Sequence, residues 1–303
     1  MRIRMLKMRQ RRRTTGNRKK NFTKMNATLK RTITGVGIVG VTLASLLFSE
    51  YVFVPVMLFA MLACLSEFYR MTVPGKFRMA KWLAYMAAVL LFLFTYFHMS
   101  FPYYVSMKLI LLAVIPLVVI LVAGLFIHDA DDFDSVAYLF TSQVYIALPF
   151  VSMNLLVFDD FGNFDGLTLI GFFIILWASD VGAYLFGMSF GQKHGHKLFP
   201  SISPKKSWEG VWGGLFVALI SGVVLKKYWM FGFLPWWAVI CLTLIIFIFS
   251  VFGDLVESKL KRHCGVKDSG NILPGHGGML DRFDGALIAF PVGAIFLILF
   301  NFI

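Results

Sequence analysis

Residues 235–253 read PWWAVICLTLIIFIFSVFG, nineteen positions without a charged side chain, opened by Pro235 and followed by Asp254. At about 1.5 Å per residue, a helix of this length matches the roughly 30 Å hydrocarbon core of a bilayer. Eight further stretches of similar character lie near residues 33–49, 51–69, 80–100, 105–127, 136–157, 166–188, 211–229 and 284–302. The expected fold class is therefore all-α: a polytopic integral membrane protein of about nine transmembrane helices whose catalytic loops face the cytoplasm.

Composition agrees. The 303 residues are 58% hydrophobic and 15% charged, with a mean hydropathy of +0.76. A soluble domain averages roughly 45–50% apolar and about 25% charged, so soluble and disordered classes are excluded. The net charge of +13 invites a nucleic-acid reading. Its distribution argues otherwise. With the amino terminus inside, 26 of the 29 Lys and Arg residues fall in inner segments: thirteen in residues 1–31, four in each of two loops and five in the last inner loop. That is the positive-inside bias of a threaded membrane protein, and no nucleic-acid partner is expected. Cys64, Cys241 and Cys264 are far apart and show neither a disulfide framework nor a zinc spacing.

Three regions follow. Residues 1–31 carry no acid and are expected to form a basic cytoplasmic tail, most of it unfolded in isolation through self-repulsion. A signal peptide competes for this reading, but the apolar stretch from Ile33 is long for one and lacks a clean cleavage site, which favours an uncleaved first span. Residues 32–157 hold the amino-terminal spans, and residues 158–303 a carboxyl-terminal catalytic membrane domain. Two inner segments, 189–210 and 254–284, are long, polar and rich in Gly, Lys and Asp. They are expected to be loops that carry function.

Asp281 and Asp284 are three apart and share one face of a helix; Asp254, at the end of the eighth span, can complete a set. Carboxylates without a His or Cys cluster favour magnesium or manganese, which bind through a few carboxylates plus substrate phosphates. Lys261, Arg262, Lys267 and Arg282 stand among these acids, an interleaving suited to a metal–nucleotide–phosphate site. Gly275, Gly277 and Gly278 let backbone N–H groups approach phosphate oxygens, and His276 beside them is the best-placed His for acid/base work. A solvated loop of paired charges is the alternative. Asp180 lies inside an apolar run, where an ionisable group by default marks function. Ser203-Pro204-Lys205-Lys206 alone is a turn with two bases. Glu67 faces a polar cavity or sits at the interface near Arg70, and His263 and Cys264 read as structural.

Taken together, Ser258-Lys259-Leu260-Lys261-Arg262, Lys267-Asp268, His276-Gly277-Gly278 and Asp281-Arg282-Phe283-Asp284 resemble the signature of the phosphatidate cytidylyltransferase (CDP-diacylglycerol synthase) family. Upstream, Asp180 with Tyr184 and Gly187, and Ser203-Pro204-Lys205-Lys206-Ser207-x-Glu209-Gly210, resemble its second pattern. The clear resemblance covers about the last 125 residues. It implies transfer of a cytidylyl group from CTP to phosphatidic acid, with Asp254, Asp281 and Asp284 as metal-binding acids. Lys261, Arg262, Lys267 and Arg282 would hold the triphosphate. Ser203, Lys205 and Lys206 would receive the lipid phosphate or close over the nucleotide, while Ser258, Asp268, His276, Gly277, Gly278 and Asp180 complete the substrate site. The implied cofactor is magnesium or manganese, with a second metal or a monovalent cation left open. Partners are CTP, phosphatidic acid and membrane lipids, with a homodimer left open. The expected location is the bacterial inner (plasma) membrane. The competing readings are a CTP-dependent polyprenol or phytol kinase, an ion-coupled transporter using Asp180 and Glu67 as relay groups, and a scaffold anchored by the tail.

Overall fold

The computed structural model describes residues 35–126, 130–191, 195–228, 230–272 and 277–303. The basic tail, Gln192, Lys193, Gly275 and His276 therefore lie outside the described residues. Helices α1 (Gly35–Phe48), α2 (Glu50–Thr72), α3 (Arg78–Ser100), α4 (Val114–Gly124), α5 (Ala130–Ser142) and α6 (Leu148–Val157) make up the first half. Helices α7 (Leu167–Phe186), α8 (Trp208–Lys227), α9 (Trp236–His263), α10 (Leu280–Phe283) and α11 (Ala286–Leu299) make up the second. Among the described residues, eight continuous helical runs are long and apolar enough to cross a membrane, and the chain is an all-α polytopic integral membrane protein. α1, at 14 residues, spans about 21 Å and is short for a crossing.

Two segments expected as loops have regular structure. Apolar character ends at Gly253, but α9 runs on to His263. Asp254-Leu255-Val256-Glu257-Ser258-Lys259-Leu260-Lys261 contains good helix formers with an i,i+4 pair, Glu257 to Lys261. Lys261, Arg262 and His263 then sit at the negative end of the helix dipole. Charge ended the membrane segment without ending the helix. In the other segment, β1 (Lys197–Phe199) pairs antiparallel with β2 (Ser203–Ser207). Pro204 is tolerated in β2 because both strands of a two-stranded ribbon are edges.

The helices that carry polar groups are held by close backbone contact. A Cβ added at Gly210 would lie 2.9 Å from the Ala183 carbonyl oxygen, and one at Gly214 would lie 2.9 Å from that of Ser179. α7 and α8 thus pack backbone to backbone through small residues, as membrane helices do when no side chain intervenes. Ser207 caps α8, its Oγ accepting from Gly210 N at 3.3 Å. That cap fixes the end of β2 to the start of α8. On the apolar side, Phe172, Phe173, Phe283 and Phe290 form a buried ring cluster joining α7, α10 and α11.

Candidate active site

Gly253 lies against the start of α11: a Cβ there would collide with the Asp284 carbonyl oxygen. This approach brings the next residue, Asp254, beside Asp284. One helical turn along α9, Glu257 faces the same way. Oxygens of Asp254, Glu257 and Asp284 all lie within 4.8 Å of one another. Glu257 is fully buried, and its Oε1 has no hydrogen-bond partner. A buried orphan oxygen is costly, and three carboxylates this close repel. A hard divalent cation offsets both, and an all-oxygen donor set fits magnesium or manganese.

Bases and hydroxyls surround the three acids. Lys206 Nζ on β2 is 2.5 Å from Asp254 Oδ2, and Ser258 Oγ donates to Asp254 Oδ1 at 3.1 Å. Lys261 Nζ donates to Glu257 Oε2 and to Asp281 Oδ1, both at 2.6 Å. Asp281 Oδ2 accepts from Ser269 N at 3.1 Å and from Gly278 N at 2.9 Å. Asp281 is thus committed to Lys261 and to the loop backbone; it lies beside Glu257 but outside the set of three acids whose oxygens all approach within 4.8 Å of one another. Gly277 has φ +82°, and a Cβ on it would come 2.8 Å from Asp281 Oδ2, so the turn beside this carboxylate needs glycine.

Two cavities meet at the acids. The larger, about 690 Å³, is lined by Tyr184, Lys205, Lys206 and Ser207 among others; the second, about 390 Å³, by Trp177, Asp281, Arg282 and Asp284. Asp180, Ser250 and Asp254 line both. Asp180, Ser250 and Asp254 thus form a partition between two chambers, with Asp284 on the side of the second. Ile38, Thr42 and Phe283, which line a third and almost wholly apolar groove of about 340 Å³, place it beside the second chamber for Ile38 and Thr42 on α1 and Phe283 on α10.

Of the residues expected at the site, the structure gathers Asp180, Lys205, Lys206, Asp254, Ser258, Lys261, Asp281, Arg282 and Asp284. Gly278 joins through its backbone. Ser203 opens β2 without lining either chamber, and neither do Arg262, Lys267 or Asp268 among the described residues. Arg262 donates instead to Val266 O at 3.2 Å. Glu257 is absent from the expected set. Its spacing of three from Asp254 is the signal that would have found it, had residues 254–263 been read as helix.

A family model described as the cytidylyltransferase family matches residues 29–300. A phosphatidate cytidylyltransferase of Bacillus subtilis (strain 168) is 38% identical over 193 residues, 63% of this chain and 68% of that protein. One from Staphylococcus haemolyticus (strain JCSC1435) is 50% identical over 135 residues, 44% of this chain and 50% of that protein. One from Staphylococcus aureus (strain COL) is 51% identical over 126 residues, 42% of this chain and 47% of that protein. The matched region thus spans about half the length of the staphylococcal relatives.

Proposed function

The chain belongs to the cytidylyltransferase family, and from that membership we propose that it transfers a cytidylyl group from CTP to phosphatidic acid, giving CDP-diacylglycerol and pyrophosphate. A phosphate oxygen of the lipid bonds to the α-phosphorus of CTP. The bond from that phosphorus to the α–β bridging oxygen breaks, and pyrophosphate leaves with the electron pair. Because the lipid phosphate is already a nucleophile, no covalent enzyme nucleophile is required. The protein's work is positioning and charge neutralisation.

The observation that carries this reading is the acid partition between two unlike chambers. We place the nucleotide in the chamber walled by Lys205 and Lys206, and the lipid phosphate beside Arg282 in the other, with an acyl chain in the apolar groove. Asp254, Glu257 and Asp284 are assigned to magnesium or manganese, which when bound neutralises and orients phosphate oxygens. Lys261 and Asp281 fix Glu257 in place. The basic loops support a cytoplasmic placement of this face, and the bacterial relatives support a bacterial plasma membrane.

The test mixes purified protein, magnesium and phosphatidic acid in detergent micelles with CTP labelled at the α or the γ position. Label from the α position is expected in CDP-diacylglycerol. Label transferred from the γ position would instead identify a CTP-dependent lipid kinase, and transfer from neither overturns the proposal.

The groove makes a separate prediction. Gly37 lines it, and a Cβ on Gly37 meets nothing within 4 Å. Gly37→Leu therefore adds bulk at the groove from a position whose Cβ has room. Its KM for dioleoyl phosphatidic acid is expected to rise about tenfold, the scale of adding methylenes to a hydrophobic pocket. KM for the dioctanoyl lipid should change much less, and an equal effect on both lipids would place the chain elsewhere.

A further inference from the structure

Glu67 lies in the amino-terminal half, on α2, yet its side chain is fully buried against the loop that precedes α10. Its Oε1 accepts from Met279 N at 3.0 Å. Its Oε2 accepts from Leu280 N at 2.9 Å and from Ser269 Oγ at 3.0 Å. Met279 and Leu280 are the N-cap and first residue of α10, so a carboxylate from another helix satisfies two of the donors that a helix start leaves open. The fit is close: a Cβ on Gly270 or Gly278 would run into the Glu67 carboxylate.

The same two loop segments hold Asp281. Ser269 gives its hydroxyl to Glu67 and its backbone N–H to Asp281; Gly278 N donates to Asp281 while the next residue's N–H donates to Glu67. Asp281 in turn holds Lys261, and Lys261 holds Glu257 of the three-acid group. A continuous chain of charge-assisted hydrogen bonds runs from α2 to the proposed reaction centre.

We infer that Glu67 is a positioning residue: it holds Ser269 and residues 278–280 so that Asp281 and Lys261 hold Glu257 in its working orientation. The effect on turnover rests on the proposed function; the effect on loop geometry does not. A transporter relay would need Glu67 to exchange its partners during transport, whereas here two of its three donors are backbone N–H groups that fix the loop.

Glu67→Gln keeps the shape but puts an NH₂ group where N–H donors now point. Its kcat is expected to fall about 10- to 100-fold, the scale for removing an outer-shell partner of a metal site, with KM for both substrates within about twofold. Hydrogen exchange should accelerate at the amides of Ser269, Gly278, Met279 and Leu280, with α3 and α8 unchanged. Glu67→Asp, which keeps both acceptor oxygens, is expected to recover part of the loss. If Glu67→Gln does not fold, Ser269→Ala removes one donor and leaves Ser269 N on Asp281; it should show the same local acceleration with a smaller fall in kcat. Wild-type exchange at these amides in a folded variant overturns the inference. So does a loss of activity that only follows the folded fraction, with kcat per folded molecule unchanged. An inactive wild type overturns the proposed reaction, and the exchange measurement still decides the role of Glu67.

Discussion

Asp284→Asn is expected to lower kcat for cytidylyl transfer by about 10²- to 10³-fold, the scale seen when one group stabilising transition-state charge is removed. The substitution is nearly isosteric. Asp284 Oδ1 accepts from Gly285 N at 2.7 Å, and an asparagine Oδ1 can accept the same bond. The fold at the start of α11 is therefore retained, and what changes is one of three negative charges in the acid group. The magnesium concentration for half-maximal activity should rise together with the fall in kcat. Asp281→Asn separates the two carboxylates: because Asp281 acts through Lys261 on Glu257 rather than within the group, kcat should fall while the magnesium requirement rises much less than in Asp284→Asn. Equal magnesium shifts in both variants would return Asp281 to the metal-binding set.

Lys261→Ala has the largest expected effect on stability. The lysine side chain is 13% exposed and pairs with Glu257 and Asp281, whose side chains are 0% and 9% exposed. Removing it leaves two buried carboxylates without their shared cation. Breaking a buried pair in this way typically costs about 3–5 kcal/mol, much of it the penalty of the stranded charge. Thermal unfolding in detergent should show the loss. The double variant Lys261→Met with Glu257→Gln removes one of the two stranded charges, leaving Asp281 with its two backbone N–H donors, and is expected to regain part of the stability while remaining inactive. If the double variant is no more stable than Lys261→Ala, the cost lies in packing around the lysine stem rather than in charge.

The membrane spans were legible because an unbroken apolar run such as 235–253 has few other physical outcomes. The continuation of α9 was not, since hydropathy falls at Asp254 while helix propensity and i,i+4 pairing do not. Reading that boundary as the end of a helix hid Glu257, which shares a face with Asp254 only if the helix continues. Asp254 and Asp284 stood out by residue type and order. The separation of Asp281 from Asp284 did not, because three-residue spacing places two carboxylates on one face without saying which neighbour each reaches. Glu67 was visible as an ionisable group in an apolar span, but Ser269, its partner 202 positions away, is a product of tertiary packing. The hairpin that presents Lys205 and Lys206 was obscured by Pro200 and Pro204, which argue against strands in any sheet larger than a ribbon.

Asp180 and Asp254 stand in a wall shared by two chambers rather than on the floor of one. Under the proposed reaction the product inherits its cytidine from one side of that wall and its acyl chains from the other, so it occupies both at once. Either substrate must wait for it to leave, whereas pyrophosphate obstructs the nucleotide alone. Product escape thus becomes part of the catalytic cycle, with the chains directing it sideways into the bilayer. Throughput is then tied to how quickly downstream consumers clear the lipid from the surrounding membrane.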